Sequence, residues 1–222
     1  MSDWTEQEIH FIDFEGNLRS GVLEYGVVSL RAGRITRTAT RLCAARARIL
    51  ADESAVHHLS NADLVDAAPL SADWDFFSQL RASGPLAAHC AGAENSLLRS
   101  VWPYPASSPD FARPGKALAE WGPWVDSASL CREFMPALPS VKLSELVASL
   151  GLQEELDRLA PGCCPSNRLF YHAALYDALA GALVLLWLAR CQPLQGLSLP
   201  RLITLSSQSG VRRDDLQQGS LF

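Results

Sequence analysis

Apolar positions early in the chain come in short blocks separated by turn residues. Ile9 to Asp13 (IHFID) reads as a strand ending in an acid, Val22 to Leu30 (VLEYGVVSL) as a second, and Arg34 to Cys43 (RITRTATRLC) as a third. Gly16-Asn17 and Ala32-Gly33 supply the turns, so the three predict an antiparallel meander. The pattern then changes period. Trp74, Phe76, Phe77 and Leu80 recur as the apolar face of a helix beginning near Ser71. Leu86 to His89 predicts a short buried strand and Glu94 to Val101 a helix. A proline-rich loop follows at 102–115, then a strand at Trp124 to Asp126 and short helices at Leu143 to Leu150 and Gln153 to Leu159. From Tyr171 to Arg190 the chain is apolar nearly all round, as in a helix buried against a sheet. A meander followed by alternating helices and strands predicts an α/β domain, without internal repeats. Ser206 to Gly210 are polar, which divides the chain into a domain at 1–195 and a flexible tail at 196–222.

Composition narrows this picture. With 222 residues and 48% hydrophobic content, the chain carries enough apolar material for one core and too much for disorder. A net charge of −5 excludes a uniformly basic nucleic-acid coat, although not a local patch. Such a patch is visible: Arg31, Arg34, Arg37, Arg41, Arg46 and Arg48 follow one another with no acid between them. They read either as a solvated strand face or as phosphate contacts. The longest apolar run, Ala178 to Ala189, is too short to span a bilayer, so no membrane partner is expected. The first residues are acidic and polar, unlike a secretion signal. None of the six cysteines forms a C-x-x-C pair, which argues for reduced thiols and against zinc. These features together predict a cytoplasmic location.

Three constellations carry candidate chemistry. Asp13 and Glu15 are two apart, hence on one face of a strand, and their charges repel unless a cation neutralises them. An isolated D-x-E fits a solvated strand end better, and what favours a site here is the apolar Phe11-Ile12 before the pair and Phe14 within it. His172 and Asp177 are five apart, about 140° on an ideal helix. They serve one site only if His172 sits on the turn entering the helix. Asp177, amid Ala, Leu and Trp, is costly there unless paired, metal-bound or on an exposed stripe. The third is His89-Cys-Ala-Gly-Ala-Glu94, where Glu94 could simply favour a helix N-terminus.

In this order the three resemble the motifs of the DnaQ-like (DEDDh) 3′–5′ exonucleases, over about residues 8–190. Asp13 and Glu15 match the first motif. Ala88 to Glu94 resembles the second, with Glu94 where the family has Asp, Cys90 where it has Asn and Ala93 where it has an aromatic. His172, Ala174, Asp177 and Ala178 match the third, H-x-A-x-x-D-A. The resemblance implies an α/β, ribonuclease H-like mixed sheet, in which a three-strand antiparallel meander is joined by parallel strands and flanked by helices. It implies two Mg²⁺ or Mn²⁺ ions held by Asp13, Glu15, Glu94 and Asp177, with Asp13 bridging them. His172 becomes the general base, a task suited to a residue type that titrates near neutrality. Phe14, Gly16 and His89 would help place the terminal nucleotide, and Arg31, Arg34, Arg37 and Arg41 would contact the strand. The expected reaction is release of nucleoside 5′-monophosphates from single-stranded DNA 3′ ends in replication or repair. RNA is the alternative substrate, and a weakly active binding module is the alternative from another class.

The last five residues, Gln218-Gly-Ser-Leu-Phe222, resemble the bacterial sliding-clamp-binding peptide. Gln218, Ser220, Leu221 and Phe222 fit that pattern, and Gly219 replaces its usual Leu. Presented on a tail, they imply a clamp as partner and a raised local concentration on DNA.

Overall fold

The computed structural model describes residues 3–207. Its centre is a mixed sheet in the order β3-β2-β1-β4-β7. The strands are β1 (Ile9–Asn17), β2 (Gly21–Arg31), β3 (Arg34–Leu42), β4 (Leu86–Ala88), β5 (Ser108–Pro109), β6 (Ala117–Leu118) and β7 (Val125–Asp126). The helices are α1 (Ala51–His57), α2 (Trp74–Ser83), α3 (Ala91–Val101), α4 (Ser127–Phe134), α5 (Leu143–Ser149), α6 (Gln153–Cys163), α7 (Ala174–Leu188) and α8 (Leu199–Ser206). β1 pairs antiparallel with β2, β2 antiparallel with β3, and β1–β4 and β4–β7 are parallel. The predicted meander and α/β class are therefore what the chain forms.

Alternation along β1 sends side chains to two cores. Ile9 and Phe11 pack with α7 on one face, while Ile12 and Phe14 pack with α2 and α3 on the other. Helix α7 is buried along nearly its whole length, as its all-round apolarity requires. Two glycines let it lie close to the sheet. A Cβ on Gly26 of β2 would stand 2.3 Å from the Ala174 backbone, and one on Gly181 of α7 would stand 2.3 Å from the Phe11 ring. Because Gly26 is opposite Asp13 in the β1–β2 register, the first contact seats the start of α7 beside that carboxylate.

Four segments depart from expectation. α1 and α4 form where no helix is predicted, since both are short. Leu199–Ser206, expected within a flexible tail, is instead helical, and Leu202 and Ile203 are fully buried where α8 packs on β7 and α4. Its apolar positions, diluted by Ser, Thr and Pro, had masked a packed face. The proline-rich loop is also ordered. It carries the β5–β6 pair, and buried Arg81 donates to the carbonyls of Pro109, Glu120 and Gly122 at 2.8, 3.2 and 2.8 Å. Among the described residues, no helix is long and apolar enough to cross a membrane.

The glycine contact is testable. Gly26→Ala drives a methyl into backbone that cannot swing aside, so it should lower stability in urea denaturation by about 1–3 kcal/mol. Gly92→Ala, in open space on α3, should be neutral or stabilising by up to about 1 kcal/mol. Equal behaviour of the two variants would show that α7 does not depend on the close approach.

Candidate active site

Asp13 and Glu15 project from the face of β1 that meets α7, and Glu15 is only 8% exposed. Beyond Glu15 the strand bulges, with Gly16 at φ 121°, where a Cβ would strike the Gly21 carbonyl. Glu94 enters from the first turn of α3 and is buried. β4 pairs with β1 only at His10 and Phe11. The β1 edge is thus open further along, and the Phe14 N–H donates to Glu94 there. Asp177 sits in the first turn of α7, buried, and its Oδ2 accepts the His172 N–H at 3.0 Å. Helix α7 begins at Ala174, not at Tyr171 as the apolar run suggested. His172 therefore lies on the entering turn, in a left-handed conformation at φ 66°, with its side chain exposed. That placement removes the 140° separation, and ligand atoms of Glu15, His172 and Asp177 lie within 4.8 Å of one another.

The electrostatics of the cluster are those of acids held together by force. Burial is the largest cause in each case. It raises Asp13 well above the ordinary carboxylate range, reinforced by Glu94, Asp177, Glu15 and Glu24. Burial raises Glu15 to about 8, with Asp177 and Glu24 adding and Arg168 opposing. It raises Glu94, helped by Glu15 and restrained by the Phe14 N–H. It raises Asp177 to about 7, restrained by the His172 N–H. Glu94 Oε2 and Asp177 Oδ1 are buried without any hydrogen-bond partner. Crowded carboxylates with unpartnered oxygens match the donor set of hard divalent cations, so the residues fit such ions.

Two residues that the sequence reading missed hold the site from beneath. Glu24 of β2, opposite Glu15, forms a buried ion pair with Arg168. Glu24 Oε2 also accepts the Ala174 N–H at 3.1 Å, at the start of α7. Arg168 donates to the His57 carbonyl at 2.7 Å and to the His172 carbonyl at 3.2 Å. The available signal was Glu24 itself, a lone acid amid the apolar residues of VLEYGVVSL, where burial demands a partner.

Other expected residues fall elsewhere. The Phe14 ring turns into the opposite core against Phe77, at 5.8 Å between centroids, so only its backbone serves the site. His89 cannot offer its ring to a nucleotide, because one nitrogen meets Ser127 Oγ at 2.9 Å and the other the Val141 carbonyl at 2.6 Å. It braces β4 against the loop before α5. Arg37 stacks over Phe76, and Arg41 is bound by Asp73, both on the α2 face rather than beside the carboxylates. Arg31 and Arg34 are exposed and opposite each other at the β2–β3 turn, toward the Ile9 end of β1. Arg31, Arg34 and Arg37 thus do not border the acids, whereas Arg46 and Arg48 lie by the β1–β2 turn that follows Glu15. Gln218, Ser220, Leu221 and Phe222 lie outside the described residues.

No family model matches the chain, and no curated protein matches it in sequence. Solved structures do. Exonuclease X in complex with 5′ overhanging duplex DNA is similar with a TM-score of 0.60 at 19% identity, over 88% of this chain and 99% of that one. The nuclease domain of 3′hExo, a DEDDh family member, bound to rAMP, gives 0.56 at 14% identity over 83% of this chain and 92% of that one. E. coli Exonuclease I in complex with a dT13 oligonucleotide gives 0.60 at 13% identity, over 84% of this chain and 42% of that one. The chain thus has the ribonuclease H-like fold of 3′-exonucleases, with an acidic cluster on its central strand.

The acids set a sign for the pH dependence. Without divalent cations, Glu15 and Asp177 hold protons in the folded state up to about pH 8 and 7, whereas the unfolded chain has released them. Stability of the metal-free protein should therefore rise as pH falls from about 8.5 toward 6.5. Below that, buried His10, lowered by desolvation to about 4, begins to oppose the trend. Thermal melts in EDTA should show the rise, and saturating Mn²⁺ should flatten it; a flat EDTA profile would contradict the buried cluster. For the ion pair, Arg168→Met strands a buried carboxylate and should cost about 3–5 kcal/mol, and Glu24→Gln in the same chain should recover a large part. Additive losses would show that the two side chains do not interact.

Proposed function

We propose that this protein is a metal-dependent 3′–5′ exonuclease that removes nucleoside 5′-monophosphates from single-stranded DNA ends. The observation carrying this reading is the meeting of Asp13, Glu15, Asp177 and His172 on the α7 face of β1, joined by Glu94 from α3 round the open edge of that strand, in a fold shared with 3′-exonucleases. Two divalent cations, Mg²⁺ or Mn²⁺, which Asp13, Glu15, Glu94 and Asp177 would hold, would supply an activated water and compensate charge on the leaving oxygen. The chain's own residues do the remainder. His172 takes the proton from the attacking water on its imidazole, and the Asp177 carboxylate fixes the backbone of that turn. Gly16, whose lack of a side chain is required by the neighbouring Gly21 carbonyl, helps place the terminal nucleotide through its backbone. Glu94 Oε2 and Asp177 Oδ1 are the acceptors a cation would satisfy.

The similar structures bear on substrate in both directions. Exonuclease X is in complex with overhanging duplex DNA, and another similar structure concerns histone mRNA stem-loop recognition by a 3′-exonuclease. Single-stranded DNA is the reading favoured here, with RNA as the alternative. Arg31 and Arg34, two exposed members of the stripe, serve as peripheral phosphate contacts. The polar C-terminal segment ending in Gln218, Ser220, Leu221 and Phe222 would tether the enzyme to a sliding clamp in replication or repair.

Incubation of matched 5′-labelled DNA and RNA oligonucleotides with Mn²⁺ tests the reaction. Stepwise shortening from the 3′ end is expected, with DNA the faster substrate, and Asp13→Ala should abolish it. Glu94→Asp, retracting a carboxylate by one methylene, should lower the rate about 10²-fold. Equal, negligible release by wild type and Asp13→Ala would sink the enzyme reading. Deleting residues 218–222 should abolish clamp binding and spare hydrolysis of a short oligonucleotide.

A further inference from the structure

Two tyrosines repeat the spacing of the candidate base and its partner. Tyr171 stands immediately before His172 and Tyr176 immediately before Asp177, so both pairs are five residues apart. The turn into α7 that brings His172 to Asp177 also brings the tyrosines together, their rings edge to face with centroids 5.2 Å apart. Tyr176 is buried and Tyr171 half-buried.

Gln153, at the start of α6, ties the two by hydrogen bonds. Its Oε1 accepts from the Tyr171 hydroxyl at 3.1 Å, and its Nε2 donates to the Tyr176 hydroxyl at 3.2 Å. Nε2 also donates to Asp157 Oδ1 at 2.7 Å, one turn further along α6. These directions follow from chemistry. A carboxylate only accepts, so it draws the amide nitrogen to itself and leaves the carbonyl for Tyr171. The Tyr176 hydroxyl, accepting from the amide, passes its own hydrogen to Asp157 Oδ1 at 3.4 Å.

The turn that this cluster grips needs holding. His172 is at φ 66°, in a region that residues with a side chain enter only under constraint. Asp177 holds its N–H and Arg168 its carbonyl, and both act on the main chain. Among the described residues the His172 ring has no hydrogen bond, so its aim is set by the turn. Tyr171, one residue earlier, anchors that turn to α6.

We propose that Gln153 is a positioning residue: by clasping Tyr171 to Tyr176 it closes the turn before α7 and sets the distance between the His172 imidazole and the Asp177 carboxylate. The clasp rests on the hydrogen bonds above. Its effect on rate rests on the exonuclease reading, in which a reacting group misplaced by about 1 Å loses up to about 10²-fold.

Reversing the polarity of the clasp tests it on the full chain. Gln153→Glu sets a carboxylate against Asp157. Gln153→Glu together with Asp157→Asn restores one amide and one carboxylate with their places exchanged, and Tyr171 keeps an acceptor. Gln153 is half-buried and Asp157 exposed, so both variants should fold, checked by melting temperature. Hydrogen exchange of the His172 N–H, which Asp177 accepts, is followed by NMR with Mg²⁺ present. Its protection should fall about tenfold in Gln153→Glu and return in the double variant, while the buried Leu183 of α7 keeps wild-type protection throughout. With Mn²⁺ and an oligonucleotide, kcat should fall about tenfold in the single variant and recover in the double, with KM unchanged. Equal protection in wild type and Gln153→Glu, a loss as large at Leu183 as at His172, or a loss that the second substitution does not repair would overturn the clasp. Repaired protection with no turnover by wild type would sink the exonuclease reading and keep the clasp. Turnover equal in all three proteins would overturn the positioning role and leave the exonuclease reading standing.

Discussion

Repulsion among buried carboxylates is the constraint around which this fold is arranged. Two like charges about 5 Å apart repel by about 3 kcal/mol at an effective dielectric of about 20, and Asp13, Glu15, Glu94 and Asp177 raise one another's pKa on top of the cost of burial. A chain free to move would separate them. Here each acid is on an element whose position is fixed by packing far larger than the acid itself: the central strand, the first turn of α3 and the first turn of the buried α7. The apolar contacts of Phe11 with α7 and of Phe14 with Phe77 hold both sides of β1. The cost of assembling the acids is thereby met by the two hydrophobic cores.

The Glu24–Arg168 pair fits the same logic. A buried ion pair often contributes little net stability compared with apolar residues of equal volume. Its value here is geometric. Glu24 binds the first turn of α7, and Arg168 binds the carbonyls of His57 and His172. One pair therefore connects β2, α1 and the turn carrying the candidate base. Its positive member also opposes the rise in the Glu15 and Asp177 pKa values. A methionine could fill the Arg168 volume but could not hold two carbonyls.

Much of this was legible in the sequence because it depends on local pattern. The β1–β3 meander follows from two-residue alternation and turn residues, and the depth of α7 follows from its lack of a polar face. The D-x-E pair places itself, since strand geometry fixes which residues share a face. His172 and Asp177 were legible only conditionally, because their meeting depends on where α7 begins, and the apolar run does not mark that point. Side-chain destinations were the least legible. His89 and Arg41 are residue types that serve ligands and structure alike, and only the tertiary partners Ser127, Val141 and Asp73 decide between the two. Helix α8 was hidden for a related reason: its burial comes from neighbours distant in sequence.

Glu94, where the resembled motif has Asp, is accounted for by the support of α3. The buried carboxylate of Asp126 accepts the Ala91 N–H at 2.9 Å through one oxygen and the Ser129 N–H at 2.9 Å through the other. A single side chain at the end of β7 thus sets where α3 and α4 both begin. Cys90, at φ 69°, makes the reversal that lets α3 start immediately after β4. With the start of α3 anchored from β7, two strands away from β1 in the sheet order, reach toward β1 comes from the side chain. The longer glutamate supplies it, touching the β1 backbone at Phe14 with one oxygen and leaving the other unpartnered. The carboxylate position that results depends on Asp126 as much as on Glu94 itself.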